Sequence, residues 1–91
     1  MNKDYGPGNA PEDYNNMNAD EKAKLDRWIK EKFVPAKSKK MDSYYLKHVM
    51  EHENGLYVTN GQFKGAMQAA GYKAYDIGNI NWDYKVKFKK L

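Results

Sequence analysis

The sequence predicts an α+β fold in which three helices precede a C-terminal β-hairpin. Apolar side chains recur every three or four positions in three segments between residues 18 and 70, as they do on one face of a helix. From residue 80 to residue 89 apolar and polar side chains alternate instead, which is the period of a half-buried strand. A chain of 91 residues has room for one domain.

The first 17 residues predict an arm without regular structure. Residues 6–11 read Gly-Pro-Gly-Asn-Ala-Pro and residues 15–16 read Asn-Asn, so turn formers dominate and no periodic apolar face exists. We therefore expect a disordered acidic arm over residues 1–17 and a folded domain over residues 18–91.

The first helix is predicted to begin at Asn18 and to end before Pro35. Asn18 followed by Glu21 resembles a capping box, in which each side chain satisfies a free backbone N–H group of the first turn. A proline disfavours helical angles at the residue before it. One apolar stripe links the two ends and contains Leu25, Trp28, Ile29 and Phe33.

The second helix follows a basic loop over residues 36–40. Asp42 or Ser43 is its expected N-cap, and Gly55 is its expected C-terminal stop, because glycine adopts the left-handed conformation without strain. Its apolar positions are Tyr45, Leu46, Val49 and Met50.

The third helix follows a short extended run over residues 56–58. Thr59 and Gln62 form a second capping box, and Gly71 ends the helix. The side chains expected to point inward are Phe63, Ala66, Met67 and Ala70. The face expected to point outward carries Gln62, Lys64, Gly65, Gln68 and Ala69.

The remaining residues predict a strand, a turn and a second strand. Residues 72–75 form the first strand and residues 76–79 are turn formers. The second strand places Ile80, Trp82, Tyr84, Val86 and Phe88 on a buried face and mostly lysine on the other. Helix, helix, short strand, helix, strand, turn and strand is the order of a winged helix-turn-helix domain.

Several motifs in residues 40–91 carry a family resemblance. They are Ser-Tyr-Tyr-Leu-Lys-His at 43–48, Gly-Leu-Tyr-Val-Thr-Asn at 55–60, Phe-Lys-Gly-Ala-Met at 63–67 and Gly-Tyr at 71–72. The chain resembles winged-helix domains, including the C-terminal domains of phage and plasmid primase-helicases, and small proteins of Gram-positive phages and mobile elements. The resemblance implies DNA binding, in replication of a mobile element or in its regulation, and it brings no catalytic residues.

The charge is distributed unevenly along the chain. Residues 1–20 carry three more acidic than basic side chains, whereas residues 21–91 carry seven more basic than acidic ones. Such a domain attracts polyanions, although lysine also serves solubility alone. The sequence lacks cysteine, a long apolar span and a signal-peptide pattern, and we expect a cytoplasmic location without a membrane partner.

A winged helix usually lays its third helix in the major groove of DNA, and its wing contacts the backbone or the minor groove. Three lysines of the loop and three lysines around the hairpin would neutralise phosphates. The predicted nucleic-acid-binding residues are Lys37, Lys39, Lys40, Asn60, Gln62, Lys64, Gln68, Lys73, Tyr75, Lys85 and Lys87. The competing interpretations are a solvated helix face, a flexible loop and lysines that protect a strand edge.

Four tyrosines are candidates for stacking on unpaired bases: Tyr44, Tyr57, Tyr72 and Tyr75. Packing in the core or at its rim is the alternative for each of them. Tyr75 lies beside the predicted wing turn, which favours it for stacking.

Nothing in the sequence supports catalysis. His48 and His52 have the spacing of metal ligands on a helix, but no third ligand is evident, and no nucleophile or phosphate loop is present. We therefore expect a nucleic-acid-binding protein that is not an enzyme and uses no cofactor or metal. DNA, single- or double-stranded, is the expected partner, with a replication protein of the same element as a further one. The alternative is a protein-interaction module that recruits or inhibits a replication or defence enzyme.

Overall fold

The computed structural model of the chain describes residues 8–38 and 40–89. The fold is α+β, with helices and small antiparallel sheets, as the sequence predicts. A 3-10 helix, Pro11–Asn16, opens the described chain. The elements that follow are α1 (Ala19–Lys32), β1 (Phe33–Pro35), β2 (Met41–Asp42), α2 (Ser43–Asn54), α3 (Asn60–Ala69), β3 (Ala74–Tyr75), β4 (Asp83–Tyr84) and β5 (Val86–Phe88).

All three helices begin at a predicted cap residue, although the Glu21 carboxylate accepts from the Asn18 side chain and not, as a capping box requires, from its backbone N–H group. The Asn18 side chain accepts a hydrogen bond from the Glu21 backbone N–H group, at 2.8 Å, where α1 begins. At α2, Asp42 and not Ser43 is the cap, and Gly55 ends the helix in the left-handed conformation. Thr59 opens α3 with the expected capping box. The capping side chain at each helix start therefore predicts correctly where the helix begins.

The strands form two antiparallel sheets, and the sequence did not predict two of their strands, β1 and β2. In the three-stranded sheet β4 is central, with β2 pairing on one side and β3 on the other. In the two-stranded sheet β1 pairs with β5, so that Phe33 lies opposite Phe88. Phe33, expected on the first helix, is thus a strand residue. The extended run 56–58 belongs to no strand.

The alternating segment near the C-terminus is shorter than predicted and is interrupted. Trp82, Tyr84 and Val86 are buried as expected, but Ile80 is 49% exposed and precedes the strand. Lys85 separates β4 from β5, and its carbonyl accepts a hydrogen bond from the Ala36 N–H group at 2.9 Å. The alternation therefore predicts which side chains are buried better than it predicts where the strands end.

One apolar core joins all of these elements. The aromatic side chains of Trp28 and Phe33 meet edge to face with 5.1 Å between ring centroids. The Trp28 indole N–H group donates to Glu53 at 2.9 Å, and this bond is the main reason why the pKa of Glu53 is lowered. The fully buried core also contains Leu25, Ile29, Leu46, Met50, Phe63, Met67 and Val86.

The prediction of an unstructured arm is wrong for residues 8–17. They cross α3, and Tyr14 is buried in the core, with its hydroxyl group donating to both carboxylate oxygens of Asp26 on α1, at 2.9 and 2.8 Å. Burial first, and the Asp26 carboxylate second, raise the pKa of Tyr14 to about 12. Residues 1–7 lie outside the described chain.

The order of the arm was not predicted because its packing on α3 depends on glycines, and a search for apolar side chains does not detect them. A Cβ atom on Gly61 would overlap the backbone of Ala10, and one on Gly65 would overlap the Pro11 carbonyl oxygen and the Tyr14 side chain. Glycines at positions i and i+4 thus form a flat strip on α3 that accepts another backbone. We name residues 8–17, packed on this strip, the N-terminal segment.

We predict that Gly65→Ala destabilises the protein by about 1–3 kcal/mol, the usual cost of forcing a methyl group into a filled site. Urea unfolding followed by tryptophan fluorescence measures the change. The control is Gln68→Ala on the same helix, where the side chain is exposed and alanine favours the helix. A Gly65→Ala protein as stable as the control would show that the N-terminal segment is not held against α3.

Candidate nucleic-acid interface

The face of α3 expected to meet DNA is covered by the N-terminal segment. Lys64 is fully buried instead of exposed, and its ammonium group donates to the Asn9 carbonyl oxygen at 3.0 Å. The same group lies 4.8 Å from the ring centroid of Trp82. Burial lowers the pKa of Lys64. The assignment of Lys64 to a base-reading face is therefore wrong for this structure.

Asn60 is also a buried structural residue and not an exposed contact. Its side-chain oxygen accepts from the Ser43 hydroxyl group at 2.8 Å. Its amide nitrogen has three acceptors within 3.3 Å, which are Asn9 Oδ1, the Ile80 carbonyl oxygen and Asn81 Oδ1. One amide thus links α2, α3, the N-terminal segment and the loop before β4. A buried amide with these partners is not available to a base.

Gln62 and Gln68 differ in whether their side chains are available to a ligand. The side-chain oxygen of Gln62 accepts a hydrogen bond from the Thr59 backbone N–H group at 2.9 Å, so that this side chain is part of the helix cap. Gln68 is exposed, but it borders a cavity that Glu12 and Tyr14 of the N-terminal segment also line. Of the four predicted residues on α3, Gln68 is exposed, Gln62 is half-buried, and Asn60 and Lys64 are buried.

Two lysines of the hairpin region and one lysine of the preceding loop lie close to Tyr75. The ammonium groups of Lys85, Lys73 and Lys40 lie 4.7, 5.2 and 6.0 Å from the ring centroid of Tyr75. Lys73 comes just before β3, Lys85 just after β4, and Lys40 just before β2, so the three-stranded sheet brings them together. We name Lys40, Lys73, Tyr75 and Lys85 the Tyr75 cluster.

Carboxylates lie on one side of the Tyr75 cluster. Burial first, then a hydrogen bond with Asp76 and the charges of Asp76 and Asp42, raise the pKa of Asp83, while Lys40 acts in the opposite direction. Lys40 is therefore the lysine of the cluster that acts on these carboxylates. Within the described residues neither Lys73 nor Lys85 has a salt bridge, and these two side chains supply the available positive charge.

The remaining predicted lysines are dispersed. Lys37 is exposed in the loop after β1, and Lys87 is exposed on β5 opposite Val34, in the other sheet. Lys39 lies outside the described residues. The structure thus brings together three of the predicted lysines, with Tyr75, and leaves Lys37 and Lys87 on the surface.

A second concave surface contains residues that the charge pattern did not single out. Tyr44 and Tyr57 are 51% and 67% exposed, and both rings lie close to the buried Lys47 ammonium group, at 5.6 and 5.1 Å. Tyr72, by contrast, packs against the core, and burial raises its pKa. Only the i, i+3 spacing of Tyr44 and Lys47 signals this arrangement in the sequence.

Other kinds of site receive no support from the described part of the chain. Residues 8–38 and 40–89 contain no group of three or more His, Asp or Glu side chains placed to hold a metal ion. His48 makes an edge contact with the Tyr44 ring, at 4.3 Å between centroids. In the same residues no helix has the length and the apolar character that a membrane span requires.

Comparison with protein-family models, with curated proteins and with solved structures finds nothing that matches this chain.

We predict that Lys64→Met removes a pH dependence from the stability. Because the folded pKa of Lys64 is below its usual value near 10.5, the folded state binds fewer protons, and the free energy of unfolding rises as the pH increases towards that value. The comparison is made by urea unfolding at about pH 7 and about pH 9, below the range in which tyrosines ionise. Methionine keeps the apolar stem without a charge. The free energy of unfolding of the variant is therefore expected to change less with pH than that of the wild type. Parallel profiles would contradict a lowered pKa of Lys64 in the folded protein.

Proposed function

We propose that this protein is a winged-helix domain that binds nucleic acid through the Tyr75 cluster. The connectivity of the sheet supports the fold assignment. β2 lies between the first two helices in the chain and pairs with β4, and β3, which follows α3, pairs on the other side of β4. In a winged helix, β3 and β4 correspond to the wing.

The observation that carries the functional proposal is the convergence of three ammonium groups on one aromatic ring. Lysines without carboxylate partners attract phosphates, and an aromatic ring among them offers a base a stacking surface. Lys73 and Lys85 meet the first requirement, and the half-buried Tyr75 meets the second with its remaining exposed surface.

The mode of binding differs from major-groove reading by the third helix. The N-terminal segment lies on α3, and two of the side chains expected to read bases, Lys64 and Asn60, are buried. Contacts from the hairpin to phosphate position a protein without selecting a sequence. We therefore infer binding with little sequence preference. In line with the family resemblance, we place it in the replication of a phage or mobile element, in the cytoplasm and without catalysis.

A second candidate function is the recruitment of a protein partner. It is favoured by Tyr44, Tyr57 and Ile80, which are each about half exposed or more and line a single groove. Exposed apolar side chains that adjoin one another often mark interaction surfaces. Absence of nucleic-acid binding at low salt would favour this function over the first.

We predict that the double substitution Lys73→Ala and Lys85→Ala weakens binding to labelled DNA. It also lowers the slope of log affinity against log salt by about 2, one unit for each phosphate that is no longer neutralised. Fluorescence anisotropy over a salt series, with single- and double-stranded DNA of unrelated sequences, gives both quantities.

The matched control removes the same charge elsewhere. Lys22 lies over the Tyr14 ring at 4.5 Å and is unsuitable, but Lys24 is an exposed lysine of α1. Paired with Lys30→Ala, which is exposed on the same helix, Lys24→Ala lowers the net charge by the same amount as the test variant. Equal losses of affinity in the test and control variants would show that net charge acts and that the Tyr75 cluster does not.

A further inference from the structure

We propose that the groove between Tyr44, Tyr57 and Ile80 is a subsite for one unpaired nucleotide of a single strand. This inference rests on the proposed nucleic-acid binding and adds a strand preference to it. We name this surface the tyrosine groove; its lining includes Tyr44, Lys47, Tyr57, Asn60, Ile80 and Asn81. Its volume is about 540 Å³, within the range of small-ligand sites.

The walls of the tyrosine groove are aromatic and accessible. Tyr57 lies between α2 and α3 and is 67% exposed, although the adjacent Leu56 and Val58 are buried. The alternation of an extended chain therefore turns Tyr57 outward while its neighbours anchor the segment. Tyr44 projects from the first turn of α2, and its edge contact with His48 holds the ring in place. Every base has a π-face, so that such rings bind bases without regard to sequence.

The floor of the tyrosine groove is formed by Lys47. Lys47 is 6% exposed, and its ammonium group lies between the two tyrosine rings. Its ion pair with Glu51 is long, 3.9 Å, and that Glu51 oxygen is buried without a hydrogen bond in the described structure. Because Glu51 offsets the charge of Lys47, this part of the groove suits a neutral base, and Lys47 contributes cation–π contacts that hold the two rings.

An amide donor completes the set of groups that a nucleotide requires. Asn81 is half-buried, and its side-chain oxygen is committed to Asn60 at 2.8 Å. This bond fixes the orientation of the amide and leaves the Asn81 N–H groups as the donors offered to the groove. Base edges present carbonyl and ring-nitrogen acceptors, which such donors bind.

These features favour a nucleotide over an apolar peptide as the occupant. A groove for an apolar helix is lined mainly by aliphatic side chains, whereas this one combines two tyrosines with a lysine and an amide. The excess of seven basic side chains in residues 21–91 complements the negative charge of a single strand. Phosphates on the Tyr75 cluster and a base in the tyrosine groove are two contacts of one ligand.

The test compares an oligothymidine with an abasic oligomer of the same length, charge and label by fluorescence anisotropy. We expect the wild type to bind oligothymidine more tightly, by about fivefold or more for a stacked base. Tyr57→Ala removes this preference and leaves the affinity for the abasic oligomer unchanged, whereas Tyr57→Phe retains it. Lys73→Ala with Lys85→Ala weakens binding to both oligomers.

The control is Tyr45→Ala, since Tyr45 is also an exposed tyrosine of α2, at 52%, but does not line the tyrosine groove. Photocrosslinking of iodouracil-substituted single strands, followed by peptide mass spectrometry, is expected to label Tyr57 or Tyr44. Equal affinity for the two oligomers, or a base preference that survives Tyr57→Ala, would overturn the subsite and leave the Tyr75 cluster standing. Failure of the wild type to bind either oligomer would overturn both proposals and leave a protein partner for the groove.

Discussion

Two glycines one helical turn apart on α3 determine how this small domain is assembled. Gly61 and Gly65 let the backbone of residues 10 and 11 lie directly on the helix, closer than any side chain would allow. Tyr14 then reaches the core over Gly65 and ties the segment to Asp26 on α1. Because a chain this short has a small core, the aromatic side chain that the segment adds is a substantial part of it.

The polar interior follows from the same packing. Lys64 is buried because the N-terminal segment lies above it, and the Asn9 carbonyl oxygen and the Trp82 ring partly replace the water that its ammonium group gives up. The Asn60 side chain connects α3 to α2, to the N-terminal segment and to the loop before β4 by hydrogen bonds. With α3 occupied in this way, the lysines of the Tyr75 cluster and the exposed tyrosines at positions 44 and 57 remain for contact with a ligand. The two proposed contacts with a nucleic acid use these two surfaces.

Local signals in the sequence predicted local structure well. Asn18, Asp42 and Thr59 identify the helix starts because each cap is a bond between residues three apart. Non-local features were not predictable in this way. β1 and β2 are three and two residues long and exist because distant strands pair with them. The exposure of Lys64 was wrongly inferred because helical spacing defines a face but does not say what lies on it. The meeting of three lysines at Tyr75 required the strand order of the sheet.

The glycine strip also constrains what related chains can look like. A protein with this α3 but without a segment equivalent to residues 8–17 would expose bare backbone at positions 61 and 65, and its lysine and amide would lack the Asn9 oxygens as acceptors. Selection would then favour side chains with a Cβ atom at both glycine positions, whereas Lys64, no longer covered, would be hydrated. Small residues at 61 and 65 and an aromatic residue at 14 should therefore be gained and lost together in evolution. That joint pattern distinguishes homologues in which the helix is covered from those in which it is free.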